Sequence, residues 1–227
     1  MKCFVYGYCC FVNPNGCGRA EYNPAPDLAS ALVVHEKEHY AFLMKDELPD
    51  FLRTLETYSG SILVKIAMKL TMLTGVRPGE LRKAEWSEFD FEKRLWHIPK
   101  ERMKMGRPHM VPLSNQVIDF LNQLRPITSI HSLLFPGRND PKKPMSDMAL
   151  TVLVRRIGYS GRVTGHGFRH TMSTILHEQG FNTAWIEIQL AHVDKNSIRG
   201  TYNHAQYLEG RREMMQWYAD YIDSLSK

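Results

Sequence analysis

Thr164-Gly165-His166-Gly167-Phe168-Arg169-His170-Thr171 is the stretch that decides how this chain reads, with Leu190-Ala191-His192 and Tyr202 behind it. Thr164 is a helix-capping residue and Gly180 a helix stop, so the spacing predicts one helix between them. His166 and Arg169 are three positions apart, which projects both side chains from one helix face. A guanidinium grips two phosphate oxygens at once, and an imidazole takes or gives a proton near neutral pH. Side by side they suit proton-coupled chemistry at an anionic phosphate.

This ordered set, His-x-x-Arg, then His, then Tyr, resembles the C-terminal half of the active site of the tyrosine recombinase (phage integrase) family. Upstream, Leu70-Thr71-Met72-Leu73-Thr74-Gly75-Val76-Arg77-Pro78-Gly79-Glu80-Leu81 resembles that family's first box, whose arginine is a phosphate ligand. Trp96-His97-Ile98-Pro99, Lys104 and His109-Met110-Val111-Pro112-Leu113 resemble the β-hairpin that carries its lysine. Arg199-Gly200-Thr201-Tyr202-Asn203-His204 and Arg211-Arg212-Glu213-Met214-Met215 are similar to the ends of prophage-type integrases. Family members often carry Gly where Ala191 stands. The resemblance implies a mainly α fold with a small antiparallel β-sheet (α+β), the tyrosine recombinase catalytic-domain fold.

It also implies a division into an N-terminal remnant and linker over residues 1–40 and a catalytic domain over residues 41–227. Gly18-Arg19-Ala20-Glu21-Tyr22-Asn23-Pro24 is similar to the exit from the family's helical DNA-clamping domain. That domain takes roughly a hundred residues, so the chain is expected to start near its end.

The chemistry so implied is transesterification at a DNA phosphodiester. Tyr202 attacks phosphorus, a 3′-phosphotyrosine forms and a 5′-hydroxyl leaves; the link keeps the bond energy, so no nucleotide cofactor is expected. Arg77, Arg169 and His192 would stabilise charge on the non-bridging oxygens. A phenol has a pKa of about 10 and needs a base, for which His166 is the candidate. Lys104 would protonate the leaving oxygen. Glu80 either orients Arg77 or the nearby histidines, or is an acidic first-turn residue meeting the helix dipole. Lys100, Arg102 and Arg107 are candidates for DNA-phosphate contact or solvated hairpin cations. No metal is expected, because fixed cations supply the charge. The implied partners are double-stranded DNA attachment sites, further protomers in a tetrameric synapse, and accessory DNA-bending or excision factors. No membrane is among them, and the implied setting is cytoplasmic, at the nucleoid.

Composition is compatible and far less specific. The net charge of +5 and a pI near 9.0 suit a polyanion. No apolar run of about eighteen residues appears. Cys3, Cys9, Cys10 and Cys17 crowd the first seventeen residues without a paired metal spacing and read as reduced thiols. Two other functions fit some of the residues. His166 and His170, four apart on a helix, with His192 could ligate zinc, although Arg169 would repel a dication. The chain could also be an integrase remnant that binds DNA without completing recombination.

Periodicity predicts helices from Lys45 through Leu55, from Ser61 to Thr74, from Ser114 to Leu124 with Pro126 closing it, and from Ser146 to about Ile157. Residues 86–113 change to a strand period with a turn around Met103 to Arg107. Asn182 or Thr183 opens a further helix, and Leu208, Met215, Tyr218, Ile222 and Leu225 mark a last one. That last helix either closes its own domain or docks on a neighbouring protomer.

Overall fold

Helices run over Leu48–Glu56 (α1), Ile62–Thr74 (α2) and Pro78–Leu81 (α3), followed by strands Phe89–Asp90 (β1), Leu95–Ile98 (β2) and His109–Pro112 (β3). Then come Asn115–Thr128 (α4), Ala149–Arg156 (α5), Gly167–Glu178 (α6), Thr183–Gln189 (α7) and Leu208–Ser224 (α8). The computed structural model describes residues 40–103, 106–192 and 207–226. The cysteines, the expected linker and clamp-domain exit, Lys104, and the Arg199–His204 motif with Tyr202 lie outside the described residues.

α2 is the axis of this arrangement: α3, α4, α5, α6 and α8 all pack on it. Ile66, Ala67, Met68, Leu70, Met72 and Leu73 are therefore buried on every side of the helix, not along a single stripe. Ile62, in the first turn, is exposed. Gly75 ends α2 in the left-handed conformation that glycine adopts without a Cβ clash (φ 64°), and its N–H bonds Thr71 O at 3.2 Å.

The strands form one antiparallel sheet in the order β1-β2-β3, with Trp96 facing Val111 and Ile98 facing His109. Phe89 stacks on Trp96 with ring centroids 5.1 Å apart, which buries one face of the sheet.

α4 continues to Thr128 with Pro126 inside it, past the stop expected at Leu124. Proline removes one N–H, but its would-be acceptor belongs to exposed Asn122, where water can serve. Downstream, the Thr128 hydroxyl bonds Leu124 O and the Ser129 N–H bonds Arg125 O, so the last turn holds.

α8 packs against α2, α4, α6, α7 and β3 of its own chain, burying Met214, Met215, Tyr218, Ala219 and Ile222. Among the described residues no helix is long and apolar enough to cross a membrane.

Candidate active site at three helix ends

Arg77 sits in extended backbone (φ −68°, ψ 139°) between the end of α2 and Pro78, which opens α3 with its fixed φ. Glu80, one turn on, is almost fully buried and holds Arg77 twice: one carboxylate oxygen accepts the backbone N–H at 3.1 Å, the other the guanidinium Nη1 at 2.9 Å. The carboxylate thus caps α3 and orients Arg77 at the same time. Arg77 Nη2 reaches Ala191 O at 3.4 Å, across 114 positions of sequence.

Thr164 caps α6 by accepting the Gly167 N–H at 2.9 Å. The segment before α1 lies directly against this turn: Thr164 N–H bonds Ala41 O at 3.1 Å and the Thr171 hydroxyl bonds Leu43 O at 2.7 Å. A Cβ at Gly167 would stand 2.1 Å from Ala41 O, so only glycine permits this approach. His166 is the residue just before α6, and Arg169 follows in its first turn.

Arg169 is buried, and its guanidinium donates to Gly75 O and Leu190 O. These are the carbonyls of the C-cap residues that close α2 and α7. Burial, then the charge of Arg77, lowers the Arg169 pKa to about 10, so it stays cationic at neutral pH.

α7 starts at Asn182, whose side chain accepts the Ala184 N–H at 2.9 Å. It ends in a reciprocal pair of bonds, Ala191 N–H to Ile188 O and His192 N–H to Glu187 O, with Ala191 left-handed at φ 48°. The positive φ gives a physical reason for glycine at this position in relatives: Ala carries a Cβ penalty there. The motif turns Leu190 O and Ala191 O toward Arg169 and Arg77 and places His192 directly after them. Glu187 Oε2 lies 2.8 Å from His192 Nδ1, which fixes the ring and leaves Nε2 for a ligand.

His166 is held neutral at ordinary pH. Burial lowers its pKa to about 4, helped by the charges of Arg169, His170, Arg77 and His192. The Tyr40 ring packs on it with centroids 4.4 Å apart. A neutral imidazole beside two guanidiniums is a proton acceptor, while the carboxylates of the site, Glu80 and Glu187, are engaged with Arg77 and His192.

The structure thus brings Arg77, Glu80, His166, Arg169 and His192 together. Lys100 and Arg107 are exposed beside the hairpin turn. Arg102 departs from the expectation that grouped it with them. Its guanidinium donates to Lys83 O and, at 3.1 Å, to Glu80 O, and its Nε is 3.0 Å from Glu88 Oε1, so acceptors of its own fold occupy it. Tyr40 and Glu187 are site residues that sequence reasoning missed. Glu187 carried one signal, an acid five positions before His192, where a helix end can fold it back.

Among the described residues no three His, Cys, Asp or Glu side chains come together as a metal site, and the guanidiniums of Arg169 and Arg77 act on His166 electrostatically.

A mainly helical domain with a three-stranded edge sheet, and basic side chains gathered at helix ends, is the tyrosine recombinase catalytic fold. The chain belongs to the phage integrase family, which matches residues 41–209. It is 48% identical over 207 residues to the integrase of Shigella phage Sf6, covering 91% of this chain and 54% of that protein. The chain spans about half the length of the curated relatives it matches. Its fold is similar to the Tn1549 transposon integrase in complex with a circular intermediate DNA (TM-score 0.64, 18% identity, 84% of this chain and 71% of that one). It is also similar to a lambda integrase tetramer bound to a Holliday junction (TM-score 0.58, 18% identity, 79% and 54%).

Proposed function

We propose that residues 41–227 form the catalytic domain of a site-specific DNA recombinase of prophage-integrase type, which cuts and rejoins strands through a 3′-phosphotyrosine. The observation that carries this reading is the convergence of two guanidiniums on one helix-end turn, with His192 next in sequence and a neutral His166 beside them. Arg77, Arg169 and His192 bind the scissile phosphate and stabilise the charge of its five-coordinate transition state. Tyr202 is the nucleophile, His166 accepts its proton, and Lys104 protonates the departing 5′-oxygen. Glu80 and Glu187 hold Arg77 and His192 in place. Because the guanidiniums are fixed before DNA arrives, little reorganisation is left for the chemical step.

Duplex attachment sites and further protomers are the partners this reading requires, and the chain acts in the cytoplasm on the nucleoid. The DNA-bound relatives of the same fold support both partners. Lys100 and Arg107 contact flanking phosphates, so binding weakens steeply with salt. The cationic surroundings of His166 speak for phosphate and against zinc.

The experiment is covalent trapping on nicked duplexes at low salt, with a denaturing gel and Tyr202→Phe alongside. The reading predicts a shifted protein–DNA band in the wild type alone. Binding without a band would instead support the remnant that holds DNA but does not cut it.

A further inference from the structure

Behind the site lies a second inward arginine. Arg211, in the first turn of α8, is fully buried. Its Nη2 donates to the side-chain oxygen of Gln189 at 2.6 Å and to Met110 O at 2.7 Å. Gln189, also fully buried, donates through Nε2 to Thr74 O at 2.8 Å, and its own carbonyl lies 3.1 Å from His109 Nε2.

This is a costly arrangement. Arg211 Nε and Nη1 are buried without a hydrogen-bond partner among the described residues. Burial lowers the Arg211 pKa to about 10, with no carboxylate offsetting it. Apolar residues of similar volume fill such positions at equal or better stability, so stability alone does not account for an arginine here.

The partners of Arg211 share one property. Thr74 ends α2 three residues before Arg77. Gln189 ends α7 one residue before Leu190, whose carbonyl holds Arg169, and three before His192. Met110 and His109 lie on β3, the return strand of the hairpin that carries Lys104, and Arg211 itself follows Tyr202 by nine positions. One guanidinium and one amide therefore tie together the elements that present the site.

We propose that Arg211 is a positioning residue: through Gln189 it locks the ends of α2 and α7 and strand β3 into the arrangement that aims Arg77, Arg169 and His192 at one phosphate. Seating α8 and assembling the site are then a single event. The proposal rests on the phosphate-site reading above.

The test compares Arg211→Met and Arg211→Lys with the wild-type chain by two readouts. The first is the His166 titration followed by NMR, which reports how deeply that ring is buried and how closely Arg169 and Arg77 surround it. The wild type titrates far below the ordinary histidine range. Arg211→Met shifts His166 upward toward that range, and Arg211→Lys, which keeps the charge but reaches fewer acceptors, lies between. The second is single-turnover adduct formation on a nicked duplex. It slows by about 100-fold in Arg211→Met, the scale of a misplacement of about 1 Å, with duplex affinity nearly unchanged. A residue that only stabilises the fold would lower the melting temperature and leave both readouts of the folded protein at wild-type values, which overturns the proposal. If Arg211→Met does not fold, Arg211→Lys decides: a raised His166 titration with slowed adduct supports the hub, and wild-type values overturn it. A wild type that forms no adduct refutes the strand-cleavage reading, while the His166 titration still judges the hub.

Discussion

Arg169 and Arg102 are both arginines that the fold turns inward, and they end with opposite electrostatic roles. Arg169 rests on the terminal carbonyls of α2 and α7, dipoles that satisfy its N–H groups but carry no net charge. Arg102 lies against the Glu88 carboxylate, with Glu85 and Glu80 also acting on it electrostatically. Glu80 and Glu187 also act on Arg169 from a distance, but among the described residues no carboxylate pairs with it directly, whereas Glu88 pairs with Arg102 at the hairpin base. Arg77 combines both: Glu80 orients it, yet Nη2 also points to a carbonyl at the same turn as Arg169. Both arginines donate to carbonyls, so what separates them is the directly paired carboxylate that Arg102 has and Arg169 lacks among the described residues.

The sharpest break between the two regions is substitution by alanine. Arg169→Ala is expected to slow adduct formation by about 100- to 1,000-fold, the scale of losing one charge-stabilising donor in a preorganised site. Arg102→Ala, measured in the same assay, should leave the chemical step within a few-fold of wild type. Its effect belongs to stability, about 2 kcal/mol in denaturant unfolding, because Glu88 is left without its cation in a largely buried place. Equal losses of rate from the two variants would erase the distinction.

pH sharpens it next. The folded-state pKa of His166 is about 4, against 6.5 for the unfolded chain. The unfolded chain therefore takes up this proton first, and stability contributed by the neutral ring falls as pH drops from 6.5 toward 4. His166→Asn should show a shallower loss of stability over that window in urea titrations. DNA bound at the two guanidiniums supplies negative charge, so it should raise the His166 titration in the wild type; no movement on adding duplex would argue against a phosphate beside the ring. The smallest effect concerns the turn itself. Ala191→Gly relieves the left-handed Cβ clash and should stabilise the fold by up to about 1 kcal/mol, with adduct formation unchanged.

The sequence carried the helices well, because apolar spacing and capping residues are local signals: Ser61, Ser114, Asn182, Gly75 and Gly180 all mark ends within a residue or two of the observed ones. Pro126 misled because a missing N–H matters little where its acceptor faces water. The members of the site were legible only through the ordered resemblance, since the contacts that gather them span 114 positions for Arg77 and 94 for Arg169. Arg102 was misgrouped for a related reason. A cation's charge is visible in sequence, while the carboxylate that neutralises it sits 14 positions back on another element. Arg211 had a local signal that went unread: it fills the gap between Leu208 and Met215 in the buried stripe of α8, a place where a surface arginine does not belong.

The central claim, that Arg169 acts on the charge of a scissile phosphate, is tested most directly by removing that charge from the DNA. Nicked duplexes with an ordinary phosphate or a neutral methylphosphonate at the cleavage position would be compared in single-turnover adduct formation by wild type and Arg169→Ala. The carbonyl-anchored site predicts a defect of about 100-fold or more on phosphate that shrinks by at least about tenfold on methylphosphonate. A defect of the same size on both substrates would contradict it, since Arg169 would then be acting on the fold and not on the charge.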